Sequence, residues 1–286
     1  MFDFRKLSVI CTVSVLTATG ALAQTAVQPQ ASTDNAPNQP AKEYSPTVGQ
    51  AGKDVIWVPT SQALIDLMLK TAQVTKDDYV IDLGSGDGRT VITAAQLGAR
   101  AHGIEYNPDM VALSKRSAEA AGVTDRATFA QGDIFASDFS EATVITLFLL
   151  PQLNAKLRPI LLDMKPGTRV VSNSFDMGDW EADQRLEATT GCTSYCNAYY
   201  WVVPAKVEGT WRLGDAALTL NQTYQTLNGT LTRNGQATPI SDAKLNGRAI
   251  TFTAGDSRYS GQVDEDGKMS GSIEGGGKWS AERSAN

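Results

Sequence analysis

Two hydrophobic periods alternate along the first two thirds of the chain, and only one of them survives in the last third. Thr60 or Ser61 can cap a helix in which Leu64, Ile65, Leu67, Met68 and Leu69 recur at helical spacing. Strand patterns then take turns with helical ones. Strands are predicted over 79–83, 101–105, 127–131, 143–148 and 168–172, and helices over 89–97, 108–121 and 153–164. The segment 143–148 is apolar at nearly every position, as a strand is when helices cover both of its faces. Segments 186–190 and 197–203 read as a closing hairpin. The pattern predicts an α/β fold over 54–204, Rossmann-like and doubly wound, with a mostly parallel seven-stranded sheet. Trp57 and Trp201 are expected in its core, and Asn154, Lys156 and Arg158 on the solvent side of the helix that Pro151 begins.

Beyond Pro204 the helical period is lost. Twelve of the 25 glycines lie in 205–286, where short alternating segments recur at 209–213, 217–221, 224–231, 250–253, 259–263, 269–273 and 279–282. Asn228-Gly229, Asn234-Gly235 and Asp266-Gly267 are hairpin-turn pairs. This predicts a small all-β domain, a barrel or sandwich, closed by Trp211 and Trp279 and serving as an accessory or interaction domain.

The chain opens differently. Arg5 and Lys6 precede an apolar stretch that ends in Ala21-Leu22-Ala23, which reads as an export signal over 1–23 cleaved after Ala23. The expected destination is the periplasm, with no stable membrane span left after cleavage. Residues 24–53, rich in Gln, Ala, Pro, Asn and Thr, read as a disordered linker. Cleavage leaves Cys192 and Cys196, a pair suited to a structural disulfide in an oxidising compartment. A net charge of −6 without any Lys/Arg run argues against a nucleic-acid partner. One histidine, His102 within a predicted strand, gives no metal site and reads as a packed residue.

The chemistry concentrates where the first predicted strand ends, in Asp82-Leu83-Gly84-Ser85-Gly86-Asp87-Gly88. A glycine loop between a strand and a helix lets backbone N–H groups approach a ligand, which suits NAD, FAD or S-adenosyl-L-methionine alike. Three details choose among these. The spacing is not the G-x-G-x-x-G that holds a pyrophosphate. Asp82 would repel a diphosphate but can hold an ammonium group. Glu105, 23 residues on and at the next strand end, can accept from ribose hydroxyls, and Asp133, after the third, from an adenine amino group. Together they predict S-adenosyl-L-methionine, with S-adenosyl-L-homocysteine as product.

"VIDLGSGDGR", "GIEYNPD" and "GDIF" are similar to the first three motifs of the seven-β-strand methyltransferases. With "WVPT", "ATVITLFLLPQLNAKLRP", "GTRVVSNSFDMGDW" and "YYWVVPA", the resemblance extends over about residues 55–205. It points to the branch that holds exported bacterial proteins and the mitochondrial lysine methyltransferases of the ATP-synthase c-subunit and the adenine nucleotide translocase. The resemblance implies that Gly84, Ser85, Gly86, Asp87, Gly88, Tyr106 and Ile134 line the cofactor beside Asp82, Glu105 and Asp133, with Thr60 near its methionine end. It implies transfer to an amine, on a protein lysine or a small molecule. Asn173, Phe175, Asp176 and Trp180 could border the acceptor, and the sequence names no catalytic residue. The competing reading is a non-catalytic cofactor-binding envelope protein that acts through its β domain.

Overall fold

The computed structural model describes residues 43–284, so the expected export signal, Cys11 and most of the expected linker lie outside the described residues. A seven-stranded sheet is built from β1 (Tyr79–Leu83), β2 (Arg100–Glu105), β3 (Ala127–Gln131), β4 (Val144–Leu147), β5 (Arg169–Asn173), β6 (Gln184–Glu187) and β7 (Asn197–Val202). Their order is β3-β2-β1-β4-β5-β7-β6. β1 to β5 run parallel and β7 runs antiparallel to both β5 and β6. The chain therefore reverses its direction of travel across the sheet between β1 and β4, and a crevice opens there at the carboxyl ends of the strands.

Alternation along the strands divides the core in two. Val80, Ala101, Val144 and Val171 pack with α1 (Gln62–Thr71), α2 (Arg89–Gln96) and α3 (Pro108–Ala120). Ile81, Leu83, Ile145, Leu147 and Val170 face the opposite way, with Leu157 and Leu161 of α4 (Pro151–Leu162) and with Trp180 and Trp201. Ser61 caps α1 through its side chain, and Asn107 caps α3 ahead of Pro108 at the first helical turn.

Asn154 contradicts the expectation of a solvent-facing residue. It is fully buried, because it shares the α4 face with Leu157 and Leu161 at i+3 and i+7. Its amide donates to the carbonyls of Phe175 and Asp176 and to Ser172 Oγ, at 3.1, 3.0 and 3.2 Å. Arg158 is also largely covered, donating to the Met177 carbonyl and pairing with Asp179, whereas Lys156 is exposed.

The second domain is a closed antiparallel barrel of eight strands. They are β8 (Gly209–Leu213), β9 (Ala216–Thr223), β10 (Thr226–Arg233), β11 (Gln236–Asn246), β12 (Ala249–Ala254), β13 (Ser257–Val263), β14 (Met269–Ile273) and β15 (Lys278–Arg283). Its interior is filled by side chains: Trp211, Leu218, Phe252, Tyr259, Met269 and Trp279 are all buried. Phe252 and Tyr259 stack at 4.5 Å across neighbouring strands, with the Trp279 ring edge-on to Phe252 at 5.8 Å. β11 carries no strand signal in the sequence, because Pro239, a bulge between Ser241 and Lys244, and Asp242 at φ 49° break its alternation. Asn228-Gly229 is not a turn. It lies inside β10, where Gly229 passes so close to the Thr219 carbonyl that an added Cβ would stand 1.9 Å from it. The chain turns at Tyr224-Gln225 instead.

That turn grips the sheet domain. Gln225 Oε1 accepts from Trp180 Nε1 at 3.0 Å and its amide donates to the Glu181 carbonyl at 2.8 Å. The Tyr224 ring stacks on Trp180 at 6.2 Å, and its hydroxyl donates to Asp179. Trp180 is fully buried, so Gln225→Leu leaves its N–H without a partner, and denaturant unfolding is expected to show a loss of about 1–3 kcal/mol. Tyr224→Phe, which removes only an exposed hydroxyl contact, is expected to lose less than about 1 kcal/mol in the same assay.

Candidate functional site

A cavity of about 640 Å³ lies at the crevice beyond the carboxyl ends of the parallel strands. Thr60, Asp82, Gly84, Ser85, Gly86, Asp87, Glu105, Tyr106, Asp133 and Ile134 all line it. Ten of the eleven residues singled out in the sequence thus meet in one place. Gly88 stands apart from that lining: it begins α2 and packs beneath the loop on Phe129 and Ser114.

Sheet order arranges the three acids. β3, β2 and β1 are adjacent, so Asp133, Glu105 and Asp82 sit at neighbouring strand ends. Glu105 accepts from the backbone N–H of Gly86 at 2.9 Å through one oxygen and of Asn107 at 2.9 Å through the other. Each oxygen keeps a lone pair for a ligand. Asp133 accepts from the Phe135 N–H and binds Lys53 at 2.6 Å, and this contact holds its carboxyl below the usual range. Asp87 takes the Arg89 guanidinium through both oxygens, and Arg89 also donates to the Thr60 carbonyl at 3.0 Å.

Asp82 is treated differently. It is 7% exposed and accepts from the Thr146 hydroxyl at 2.7 Å. Among the described residues no cation pairs with it. Burial, opposed by the Thr146 hydrogen bond and reinforced by the charges of Glu105 and Asp87, pushes its carboxyl from 3.8 up to about 7. Ser85 Oγ is also buried without a hydrogen-bond partner among the described residues, packed over Gly103.

Residues 44–53, part of the expected linker, are ordered here as a strap over the cavity. The Gly49 N–H donates to the Trp57 carbonyl, the Trp57 N–H to Gln50, and Ala51 bridges Ile56. Backbone pairing and the Lys53–Asp133 contact supply what a polar sequence lacks in apolar residues. Trp57, expected in the core, is only half-buried and lies on the cavity wall. Its Nε1 would stand 2.7 Å from a Cβ at Gly86, whose φ is also positive, so only glycine fits beneath the indole.

The β4–β5 half of the cavity is apolar. Phe148 follows β4, Phe175 follows β5, and Tyr195 comes from the loop closed by a Cys192–Cys196 disulfide, whose Cα atoms are 5.7 Å apart. The four residues expected near an acceptor divide. Phe175 lines the cavity, while Asn173 is buried and donates to Thr60 Oγ1 at 3.0 Å, fixing that cavity residue from behind. Asp176 and Trp180 lie off the wall, where the carbonyl of Asp176 is bound by Asn154 and Trp180 faces the barrel. His102, half-buried, bonds Thr128 across β2 and β3. Lys53, Trp57 and Tyr195 escaped notice as site residues, and the one local hint was the placement of Tyr195 between two cysteines.

The family model described as the ANTKMT methyltransferase domain matches residues 82–184. A protein-lysine N-methyltransferase of Saccharolobus islandicus is 40% identical over 152 residues, which are 52% of this chain and 94% of that protein. The lysine N-methyltransferase of the ATP synthase c-subunit from Rattus norvegicus is 33% identical over 136 residues, 47% of this chain, and the chain covers 61% of its length. Among solved structures, an RNA methyltransferase from Salinibacter ruber in complex with S-adenosyl-L-homocysteine is 47% identical over 52% of this chain and 96% of that one, with a TM-score of 0.49. The identity to the Saccharolobus protein over nearly its whole length, together with the matched domain, decides the family. The chain belongs to the S-adenosyl-L-methionine-dependent methyltransferases, and its residues 82–184 match the ANTKMT methyltransferase domain.

Proposed function

We propose that this protein methylates amine nitrogens, with the side chain of a protein lysine as the leading acceptor. The observation that carries the reading is the protein-lysine N-methyltransferase of Saccharolobus islandicus, of which the chain covers 94%. The chemistry of the cavity supports it. Asp82, a buried carboxylate without a cation among the described residues, suits the ammonium of the methionine moiety, and Glu105 retains lone pairs for ribose hydroxyls. Asp133 already holds Lys53, so an adenine amino group would share that carboxylate or displace the lysine. S-adenosyl-L-methionine supplies a methyl group on a cationic sulfur, and its transfer to a neutral amine yields the methylated ammonium and S-adenosyl-L-homocysteine, the one proton released overall being that lost by the lysine ammonium beforehand.

What the chain adds is position and exclusion of water. Gly86 and the Trp57 strap narrow one wall, and Phe148, Phe175 and Tyr195 form another. Near pH 7 only about one lysine in a few thousand is neutral. The acceptor must therefore give its proton to water before the methyl group is transferred.

The site is further proposed to work outside the cytoplasm. Support comes from the leader-like residues 1–23 and from the Cys192–Cys196 bond, a kind that persists in oxidising compartments.

Mature protein incubated with methyl-labelled cofactor and an envelope extract should label lysine in a protein band, at a rate rising about tenfold per pH unit between pH 7 and 9. Tight S-adenosyl-L-homocysteine binding with no transfer to any acceptor would instead favour the non-catalytic reading.

Calorimetry should show S-adenosyl-L-homocysteine binding weaken about tenfold per pH unit below about pH 7, as Asp82 gains its proton, and Asp82→Asn should bind weakly at every pH. The sign for the unliganded protein is opposite. Its folded value near 7 lies above 3.8, so stability present at low pH falls between about pH 4 and pH 7, by about 4 kcal/mol in all.

A reporter active only outside the cytoplasm, fused behind residues 1–53, should be active; activity confined to a cytoplasmic reporter would remove the export proposal.

A further inference from the structure

Three aromatic rings converge at the β4–β5 half of the cavity without being buried by one another. Phe148 and Tyr195 have centroids 5.3 Å apart at 62°, Phe148 and Phe175 are 6.2 Å apart at 27°, and Phe175 and Tyr195 are 6.5 Å apart at 56°. Phe148 and Phe175 are half-buried, and Tyr195 is 45% exposed. Ring faces left open to a cavity forgo apolar burial that a ligand can restore.

Tyr195 is also held where a free loop would not put it. Its φ is 53°, in the left-handed region that a residue with a bulky side chain seldom enters. The Cys192–Cys196 bond closes a five-residue loop around it, and β6 and β7 anchor the two ends. The disulfide thus fixes the third ring of the group.

Electrostatics then select the ligand. Aromatic faces attract cations, and they favour a methylated ammonium over a plain one, because the methylated form is poorly hydrated and presents more apolar surface. The cavity's acids are Asp82, Glu105 and Asp133 toward the ends of β1, β2 and β3, Asp87 in the glycine loop and Asp54 in the strap, and none of the lining residues that follow β4 or β5 is acidic, so this half offers ring faces in place of a salt bridge.

We propose that Phe148, Phe175 and Tyr195 form an acceptor subsite for the alkylammonium end of lysine, which holds methylated lysine more tightly than unmethylated lysine. The proposal rests on the amine-acceptor reading above. On it, a partly methylated side chain is retained for further rounds, and Tyr195 determines the degree of methylation.

The test measures binding rather than turnover. The intact mature protein, saturated with S-adenosyl-L-homocysteine, is titrated by NMR with Nα-acetyl-trimethyllysine amide, with the unmethylated lysine amide, and with the uncharged tert-butyl isostere. The trimethyl ligand is expected to bind at least about fivefold more tightly than either. Tyr195→Ala and the double variant Cys192→Ser/Cys196→Ser should each lose that preference, and Tyr195→Phe should keep it, with S-adenosyl-L-homocysteine affinity unchanged in all three. Equal binding of the isostere by the unaltered protein overturns the subsite, as does a preference that survives Tyr195→Ala. If trimethyllysine binds as expected but no extract protein is labelled, the subsite stands and the catalytic reading falls.

Discussion

A carboxylate can be buried beside other carboxylates only if something neutralises it, and the cavity of this protein is organised around one that its own side chains leave unneutralised. Asp87 has Arg89, Asp133 has Lys53, and Glu105 has the amides of Gly86 and Asn107. Asp82 has the Thr146 hydroxyl, and burial, with the charges of Glu105 and Asp87, pushes its carboxyl up to about 7. The parallel order of β1, β2 and β3 brings these groups together, since each lies at or just beyond the carboxyl end of its strand. A cationic ligand relieves the crowding, whereas a diphosphate would worsen it. The choice of cofactor therefore follows from charge as much as from the shape of the glycine loop.

The barrel bears on the same cavity through a short series of contacts. Its Tyr224-Gln225 turn holds Trp180 and the Glu181 carbonyl. The segment just before is held from the other side by Asn154, which takes the carbonyls of Phe175 and Asp176. Phe175 thus stands on a loop whose backbone carbonyls are bound by two separate elements.

The α/β half and the acids were legible because the signals that specify them are local. A strand, a glycine loop and an acid at the next strand end lie within a few dozen residues, and hydrophobic period locates each of them. What stayed hidden depends on partners far along the chain. Asn154 looks polar and exposed until the carbonyls of Phe175 and Asp176 arrive beside it, and Trp57 looks like core until Gly86 turns out to be its floor. Lys53 sits in a polar segment that composition alone assigns to disorder, and Asp133, 80 residues away, supplies its reason to be ordered. In the barrel, Asn228-Gly229 has the chemistry of a turn, yet the need for a close crossing at Thr219 claims the glycine first. Local propensity was overridden wherever a tertiary contact had a stronger use for the residue.

The two halves of the cavity are chemically unlike, and for the proposed lysine acceptor the difference bears on how a cationic donor and a cationic acceptor can share it. Charged groups at the ends of β1 to β3 suit the polar parts of the cofactor, while the rings beyond β4 and β5 suit an alkyl chain that ends in nitrogen. Two like charges repel strongly in a space of low dielectric, so a protonated amine is disfavoured near a sulfonium. Rings soften that repulsion without supplying a carboxylate that would fix the proton on the amine. An aromatic wall is thus better suited than an acidic one to an acceptor that must arrive charged and react neutral.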